Sequence, residues 1–94
     1  MRIRWFGDGI LDLMELRKYI ADDNPPAALD VAGRIIQGVE YLRDRPAMGR
    51  PGRVEGTREL VVPGLSYIIP YRVKDNVVEV LRVLHSARRW PRKL

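Results

Sequence analysis

The spacing of the apolar residues changes near residue 57, and this change limits the folds that are open to the chain. Before that point, one stretch has apolar residues three or four positions apart: Ala28, Ala32, Ile35, Val39 and Leu42. That spacing is the period of an α-helix. After it, the segments TRELVV, LSYIIPYRV and VVEVLRVLH follow the two-residue period of β-strands. The sequence therefore predicts helices followed by a run of strands.

The helical part is predicted to form two helices joined by a tight turn. Leu13, Leu16 and Ile20 predict a first helix over Ile10–Ala21. The segment DDNPP ends it and starts the next helix, since Asn24 suits an N-cap. Proline suits the first helical position, where no N–H is needed. The second helix is predicted over Pro26–Asp44, and the pair forms an αα-hairpin.

The strands are predicted to form a small antiparallel meander. RIRWF at the N-terminus predicts a first strand, and three more are predicted over Thr57–Val62, Ser66–Val73 and Val77–Leu84. Pro70 lies inside the middle of these three and has no N–H, so we expect a bulge there or an N–H position that faces an edge. The order is β-α-α-β-β-β. The prediction is one α+β domain over residues 1–94, with the helical hairpin packed on a mainly antiparallel sheet.

The composition excludes several kinds of site. The chain has no cysteine and one histidine. Disulfides, thiolate zinc sites and metal sites built on imidazoles are therefore excluded, and no cofactor or metal is predicted. No apolar run approaches the roughly 20 residues of a membrane span. The N-terminus lacks the apolar core of a signal peptide, so a cytoplasmic protein without a membrane partner is predicted.

The charge is divided unevenly between the two halves of the chain. Residues 1–42 hold 5 basic and 7 acidic side chains, a net of −2, whereas residues 43–94 hold 12 basic and 5 acidic, a net of +7. A basic half favours an anionic partner, either nucleic acid or an acidic protein. The alternative is a surface charge that serves solubility alone. A basic tail begins at about residue 86. The residues predicted to bind a target or partner are Arg50, Arg53, Arg72, Arg82, Arg88 and Arg89.

A ribonuclease site is a second interpretation of the same half. Cleavage of RNA by its 2′-OH needs a base, an acid and a cation that holds the phosphate. His85 suits the first two roles, and arginine suits the third. Tyr71 would stack on a base. The candidates are Arg58, Tyr71, Arg72, Arg82 and His85. The structural alternatives are that His85 caps backbone groups at a strand end and that Tyr71 lies in the core.

Strand alternation gives a further expectation for these candidates. It allows the sheet to hold arginines at several points on one concave face. It also places Arg82 and His85 on opposite faces of the last strand, so a joint site would have to form near the end of that strand.

Four segments in this order resemble the RelE/ParE superfamily of bacterial type II toxins: DLMELRKYIADDNPPAALDVAGRI, PAMGRPGRVEGTRELVV, YIIPYRV and VEVLRVLHSAR. The resemblance runs from Arg4 to Pro91. It implies the β-α-α-β-β-β fold and an acidic, partly disordered antitoxin that folds over the toxin. It also implies that the pair represses its own operon, with operator DNA bound through the antitoxin.

The resemblance leaves the target open. RelE-like members cut mRNA in the ribosome, whereas ParE-like members poison DNA gyrase without nuclease activity. Nuclease members carry an arginine where this chain has Ile68, and Trp90 is the only aromatic residue after His85. We therefore favour a ParE-like gyrase inhibitor over a RelE-like endoribonuclease, with a non-toxic member that keeps only antitoxin binding as the third hypothesis.

Overall fold

The computed structural model describes residues 1–94 and confirms the predicted α+β fold, two helices on a mainly antiparallel sheet. The elements are β1 (Arg2–Trp5), α1 (Gly7–Asp23), α2 (Pro25–Tyr41), β2 (Arg50–Pro51), β3 (Arg58–Val61), β4 (Tyr67–Lys74), β5 (Val77–Val80) and β6 (Leu84–His85). Two differences from the predicted elements concern the sheet. β2 was not among the predicted strands, and the last predicted strand is divided into β5 and β6.

The sheet has the strand order β1-β5-β4-β3-β2, and β6 pairs with β4 beyond the end of β5. β1 runs parallel to β5, while the other pairs are antiparallel. The parallel pair is possible because a long connection, which contains both helices and strands β2 to β4, separates β1 from β5. β1 therefore forms one edge of the sheet. β2 covers only part of the opposite edge, along β3.

A β-bulge opposite Pro70 divides the last predicted strand. Tyr71 pairs with Val80, but Ile68 pairs with Leu84, so β4 has two residues where the facing chain has three. The Pro70 carbonyl oxygen accepts hydrogen bonds from the N–H groups of Leu81 and Arg82, at 2.9 and 3.5 Å. The predicted bulge is confirmed, and its physical reason is the N–H that proline lacks.

The bulge changes which side chains face the helices. Val78 and Val80 lie in the core before the bulge, and Val83 lies in the core after it. The prediction that one alternation runs through the whole segment is therefore wrong. His85 pairs with Tyr67, a residue that packs against the core, so His85 lies on the side of the sheet that faces the helices.

The core lies between α2 and the sheet. Ile35, Val39 and Leu42 are fully buried from the helix side, as the predicted stripe requires. Leu16 joins them from α1. The turn between the helices is capped as predicted, because the Ala27 N–H donates to the Asn24 side-chain oxygen at 3.2 Å. Neither helix is long and apolar enough to cross a membrane.

Candidate functional site

The face of the sheet that points away from the helices carries a row of alternating charges, and we call it the outer face. Arg4 on β1 is paired with Glu79 on β5, which is paired with Arg72 on β4. One row further along, Glu59 on β3 is paired with Arg50 on β2. Directly paired residues have their side chains on the same face of a sheet. The outer face therefore holds two carboxylates. Glu79 has a paired arginine on each side, and Glu59 has one on the β2 side.

The first group is the Glu79 cluster, made of Glu79, Arg72, Arg4 and Phe6. Arg72 Nε donates to Glu79 Oε1 at 2.6 Å, and Arg4 Nη1 lies 3.9 Å from Oε2. Both guanidinium groups also lie over the Phe6 ring, 5.1 and 5.5 Å from its centroid. The hydrogen bond from Arg72 lowers the pKa of Glu79 below its usual value. The carboxylate therefore stays charged and fixes the position of Arg72.

The second group is the Glu59 cluster, made of Glu59, Arg50, Arg53 and Trp90. Glu59 accepts hydrogen bonds from Arg50 Nε at 3.1 Å and from the Arg53 backbone N–H at 2.8 Å. The guanidinium carbon of Arg53 lies 3.5 Å from the centroid of the Trp90 ring, a close cation–π contact. Burial raises the pKa of Glu59, but these hydrogen bonds and the two positive charges outweigh it, so the pKa is lowered.

Together the two clusters form a preorganised cationic surface. The four arginine side chains are 41–69% exposed, whereas the two carboxylates are only 4% and 10% exposed. Four positive and two negative groups give a net charge of +2. Buried carboxylates and aromatic rings hold the guanidinium groups, and the arginine surfaces remain open to solvent. Such a surface can bind anions, but neither cluster contains a histidine or tyrosine that would move a proton.

Arg58 and Tyr71 lie on the opposite face, under the helices. Tyr71 is fully buried, so the predicted stacking of its ring on a base is wrong. Its hydroxyl donates to the Pro46 carbonyl at 2.7 Å and accepts from the Gly49 N–H at 2.8 Å. Burial raises the pKa of Tyr71, against the opposing effects of the Gly49 N–H and the Arg58 charge. Arg58 Nη1 donates to the Gly49 carbonyl at 2.8 Å. Both residues fix the loop before β2.

Arg82 lies in the bulge and forms an ion pair with α1. Its Nε and Nη2 donate to the two oxygens of Asp12 at 2.7 and 3.0 Å. The same carboxylate accepts from the Val83 backbone N–H at 3.0 Å. The Asp12 hydrogen bond raises the pKa of Arg82 above its already high value. Arg82 and His85 thus both lie on the helix side of the sheet, although strand alternation predicted that they would lie on opposite faces.

His85 and the basic tail lie beside the middle of α1, where they line a cavity of about 340 Å³. His85 Nδ1 accepts from the Ala87 N–H at 3.1 Å, and its ring meets Tyr67 edge to face. Trp90 Nε1 donates to the His85 carbonyl at 3.3 Å. Arg88 lies over the Tyr19 ring, 5.6 Å from its centroid. The His85 side chain therefore caps a backbone N–H just after the end of β6.

The candidates thus occupy separate places. Arg50, Arg53 and Arg72 share the outer face, while Arg58 and Tyr71 lie beneath α2, and Arg82, His85, Arg88 and the neighbouring Arg89 lie towards α1. The predicted single concave face of arginines with His85 at its end is wrong. Glu59, Glu79, Arg4 and Phe6, which complete the two clusters, were not among the residues predicted from the sequence. The two-residue turn Asp75–Asn76, where both residues have positive φ, could have revealed Glu79, because it fixes the pairing of Arg72 with Glu79.

Comparison with known proteins places this fold in a family. A family model described as the ParE toxin of the type II toxin–antitoxin system parDE matches residues 8–90. The chain belongs to the ParE toxin family. This family member is 46% identical over 93 residues to the protein Y4kP of Sinorhizobium fredii, covering 99% of this chain and 96% of that protein. It is 32% identical to Toxin RelE2 of Caulobacter vibrioides, covering 93% and 97% of the two chains.

Two solved structures resemble this ParE-family chain. A chain of the chromosomal ParDE system from P. aeruginosa superimposes with a TM-score of 0.83 at 26% identity, over 90% of this chain and 95% of that one. A chain of the toxin–antitoxin complex RelBE2 from Mycobacterium tuberculosis superimposes with a TM-score of 0.66, also at 26% identity, over 89% and 95%. The structure has no group of three or more His, Cys, Asp or Glu side chains that could hold a metal ion.

Proposed function

We propose that this type II toxin arrests growth by binding its target, and that DNA gyrase is the preferred target. The observation that carries the proposal is the separation of His85 from the arginines of the two clusters on the outer face. His85 is the one group suited to proton transfer near neutral pH. It lies on the helix side of the sheet, whereas the exposed arginines of the two clusters lie on the outer face.

The hydrogen bonds of the separated residues support the same proposal. Arg82 directs its fork of N–H groups at Asp12, and Arg58 donates to the carbonyls of the loop before β2. A phosphate would have to displace these partners at a cost in free energy. Ile68, which stands where nuclease members carry an arginine, is buried. A protein that acts by binding needs no proton transfer, so this arrangement is compatible with that role.

The surfaces proposed for target and partner binding are the outer face and the tail. The outer face contributes Arg50, Arg53 and Arg72, and the tail contributes Arg88 and Arg89. These five arginine side chains could contact an acidic protein surface or DNA that is bound to a protein. The proposed second partner is an acidic antitoxin, which is supported by the match to chains of the ParDE system and the RelBE2 complex. Operator DNA would be bound through that antitoxin.

A RelE-like ribosome-dependent endoribonuclease is the second candidate. It is favoured by the 32% identity with Toxin RelE2 and by Arg72. The Arg72 side chain is partly exposed, and its terminal nitrogens make no hydrogen bond within the chain. In this candidate, Arg72 would hold phosphate. A member that has lost toxicity and keeps only antitoxin binding is the third hypothesis.

Induced expression in a bacterial host distinguishes the three hypotheses. Gyrase inhibition predicts arrested growth with broken chromosomal DNA, filamentous cells and intact transcripts. Purified protein should also inhibit supercoiling by gyrase. An endoribonuclease predicts transcripts cut within translating ribosomes and undamaged DNA, which would overturn the preferred function. Unchanged growth at confirmed expression of the folded protein would support the third hypothesis.

A further inference from the structure

The outer face carries a second row of basic side chains at the end of the sheet. Arg2 on β1 and Lys74 on β4 are both paired with Val77 on β5. They lie two residues from Arg4 and Arg72 on the same strands, so their side chains also point to the outer face. We call these four basic residues, Arg2, Arg4, Arg72 and Lys74, the cationic block. Two of them stand on each side of β5.

The cationic block has a regular spacing. Neighbouring strands are about 4.8 Å apart, so the Cα atoms of the two β1 residues lie about 9.6 Å from those of the two β4 residues. Along each strand the two basic residues are about 6.7 Å apart. The turn Asp75–Asn76, with φ values of 52° and 62°, holds Lys74 and Val77 opposite each other. The four cations therefore form a rectangle with β5 along its middle.

A groove of about 440 Å³ lies within this rectangle. Its principal lining residues are Arg2, Arg4, Lys74, Asp75, Val77 and Glu79. The hydrogen bond from Arg72, followed by the charges of Lys74 and Arg4, lowers the pKa of Glu79, so these three cations all act on one carboxylate. None of the lining residues belongs to the Glu59 cluster. The groove therefore extends the surface of the Glu79 cluster to the end of the sheet.

Two of the four cations have no acidic partner within the chain. Arg2 and Lys74 are exposed, and neither forms an ion pair. Arg4 and Arg72 remain 69% and 41% exposed although Glu79 pairs with both. Like charges that are held close together repel each other, and a bound anion removes this repulsion. The cationic block therefore favours an anionic partner.

The groove lacks the apolar surface of a protein interface. The core of a protein–protein interface is apolar and rich in aromatic residues. The two apolar residues that line this groove, Ile3 and Val77, are both partly buried, and none of the exposed large apolar residues of the chain lies there. Protein–DNA interfaces are instead polar and strongly positive. The composition of the groove therefore favours phosphates over the surface of an acidic protein.

The aromatic rings of the outer face already carry guanidinium groups. Arg4 and Arg72 lie over the Phe6 ring, and Arg53 lies over the Trp90 ring. Single-stranded nucleic acids are bound largely through stacking of their bases on open aromatic rings. A guanidinium group that covers a ring prevents such stacking on that side. The outer face therefore suits the phosphates of a duplex, whose bases are stacked on one another.

The array of cations extends beyond the cationic block. Arg50 on β2 and Arg4 on β1 lie at opposite edges of the sheet, four strand spacings or about 19 Å apart. Each strand of a DNA duplex carries a phosphate about every 3.4 Å along the helix axis, so a duplex would meet several of these cations at once. A free nucleotide has phosphates at one end only. The extent of the array therefore favours a polymer of phosphates.

We propose that the outer face binds the phosphate backbone of duplex DNA directly and without sequence preference. The cationic block would contact one group of phosphates, and Arg50 and Arg53 would contact phosphates farther along the duplex. Backbone contacts of this kind position a protein on DNA and carry no sequence information. The choice of DNA over RNA rests on the proposed function, in which the target is an enzyme that acts on DNA. Operator recognition, which is proposed for the antitoxin, is a separate contact.

The test measures binding of the whole chain to short fluorescent DNA duplexes of two unrelated sequences over a series of salt concentrations. We expect equal affinity for the two sequences. The logarithm of the binding constant should fall linearly with the logarithm of the salt concentration, with a slope of about −0.9 per contacted phosphate. Arg2→Gln combined with Lys74→Gln should make this slope shallower by about 2 and should weaken binding at low salt by about tenfold or more.

The matched control is the double variant Arg17→Gln and Lys18→Gln. It removes one arginine and one lysine from exposed positions on α1, so it changes the net charge by the same amount. Its salt slope should equal that of the wild type. Thermal melting checks that both double variants are folded. Amide NMR shifts locate the bound duplex, and we expect them along Arg2–Trp5 and Arg72–Val77.

Several results would overturn the inference. They are no binding to either duplex at low salt, equal slopes for the two double variants, NMR shifts confined to the tail after His85, tighter binding to an RNA duplex of the same sequence, and tighter binding to polyglutamate, which would indicate an acidic protein partner. A supercoiling assay with purified gyrase tests the proposed function separately. Inhibition of supercoiling by a protein that does not bind DNA would refute only this inference. DNA binding without inhibition would refute gyrase as the target and leave the DNA contact in place.

Discussion

Asp12 on α1 accepts a hydrogen bond from Arg82 on each of its two carboxylate oxygens. The distances are 2.7 Å from Nε to Oδ2 and 3.0 Å from Nη2 to Oδ1. Both side chains are largely buried, with 22% of Arg82 and 13% of Asp12 exposed. The pair joins the first helix to the bulge opposite Pro70, across 70 residues of sequence. It therefore stabilises the connection between the two halves of the fold.

Replacing Asp12 by alanine should destabilise the protein. Asp12→Ala leaves the Arg82 guanidinium and the Val83 N–H without their partner, and each such loss costs about 1–3 kcal/mol. We expect a reduced free energy of unfolding in urea. Glu15→Ala removes a more exposed carboxylate from the same helix and is the control. Equal stability of the two variants would show that the ion pair contributes nothing measurable.

The α2 stripe gives a prediction for the core. Ile35 is fully buried between α2 and the sheet, whereas its neighbour Ile36 is 44% exposed. Ile35→Ala should lower the free energy of unfolding by about 2–5 kcal/mol, because the removed side chain leaves a cavity. Ile36→Ala, which makes the same chemical change at a surface position, should lower it much less. Similar thermal melting of the two variants would contradict this packing.

The helices and the core were predictable because both depend on local sequence. The stripe that contains Ile35 and Val39 has one helical period, and Asn24 followed by proline marks a helix start by its own chemistry. The bulge was also predictable, since Pro70 cannot donate to a ladder. Its consequence was not. A single inserted residue reverses the face of every residue after it, including His85, and simple alternation does not reveal where that residue falls.

The outer face was only partly predictable. Arg72 and Arg50 could be named as binding residues from charge alone, but the carboxylates that orient them depend on strand pairing. Glu59 meets Arg50 through β2, a strand of two residues that has no pattern of its own. Tyr71 was open to two interpretations, since a strand aromatic faces either core or ligand. The Tyr71 hydroxyl bonds the Pro46 carbonyl and the Gly49 N–H in the loop before β2, and these bonds show that Tyr71 lies in the core.

The two carboxylates of the outer face should make stability depend on pH. The folded-state pKa values of Glu59 and Glu79 lie below the usual value of 4.5. On acidification, the unfolded chain therefore takes up these protons first. The stabilisation they contribute is complete above a pH of about 4.5. It is lost as the pH falls through the lower folded-state values.

This dependence can be measured by urea unfolding at a series of pH values below neutrality. Glu59→Gln should be less stable than the wild type near neutral pH, and its stability should fall less steeply on acidification. Glu55→Gln is the control, since Glu55 is an exposed carboxylate without an ion pair. Parallel stability curves for the wild type and Glu59→Gln would refute the assignment of the lowered pKa to folding.

The hydroxyl of Tyr71 should stabilise the loop before β2. Tyr71→Phe keeps the buried ring and removes the oxygen that bonds the Pro46 carbonyl and the Gly49 N–H. Leaving the buried Gly49 N–H and the partly buried Pro46 carbonyl unpaired should cost about 1–3 kcal/mol and should accelerate hydrogen exchange at Gly49. Tyr67→Phe, which removes a hydroxyl without a hydrogen-bond partner, is the control. Unchanged exchange at Gly49 would show that the hydroxyl does not hold the loop.

The last prediction concerns the residues that toxicity requires. His85 holds the Ala87 N–H and packs on Tyr67. If the protein inhibits gyrase, as proposed, no proton transfer is needed. His85→Ala should therefore leave growth arrest nearly intact. Reversing the tail charges with Arg88→Glu and Arg89→Glu should weaken arrest, because it would disturb the proposed basic contact surface. The double variant Arg17→Glu and Lys18→Glu, which reverses two exposed charges on α1, is the control.

A ribonuclease would give the inverse pattern. Loss of a general acid or base lowers a rate by about a hundredfold or more, so His85→Ala would abolish arrest if His85 were catalytic. RelE-like nucleases can also use other basic residues, so each variant must be scored for DNA breaks and transcript integrity together. Arrest that survives His85→Ala, disappears with the tail reversal and coincides with broken DNA would support gyrase inhibition. Arrest with cut transcripts and undamaged DNA would refute it, whatever the effect of His85→Ala.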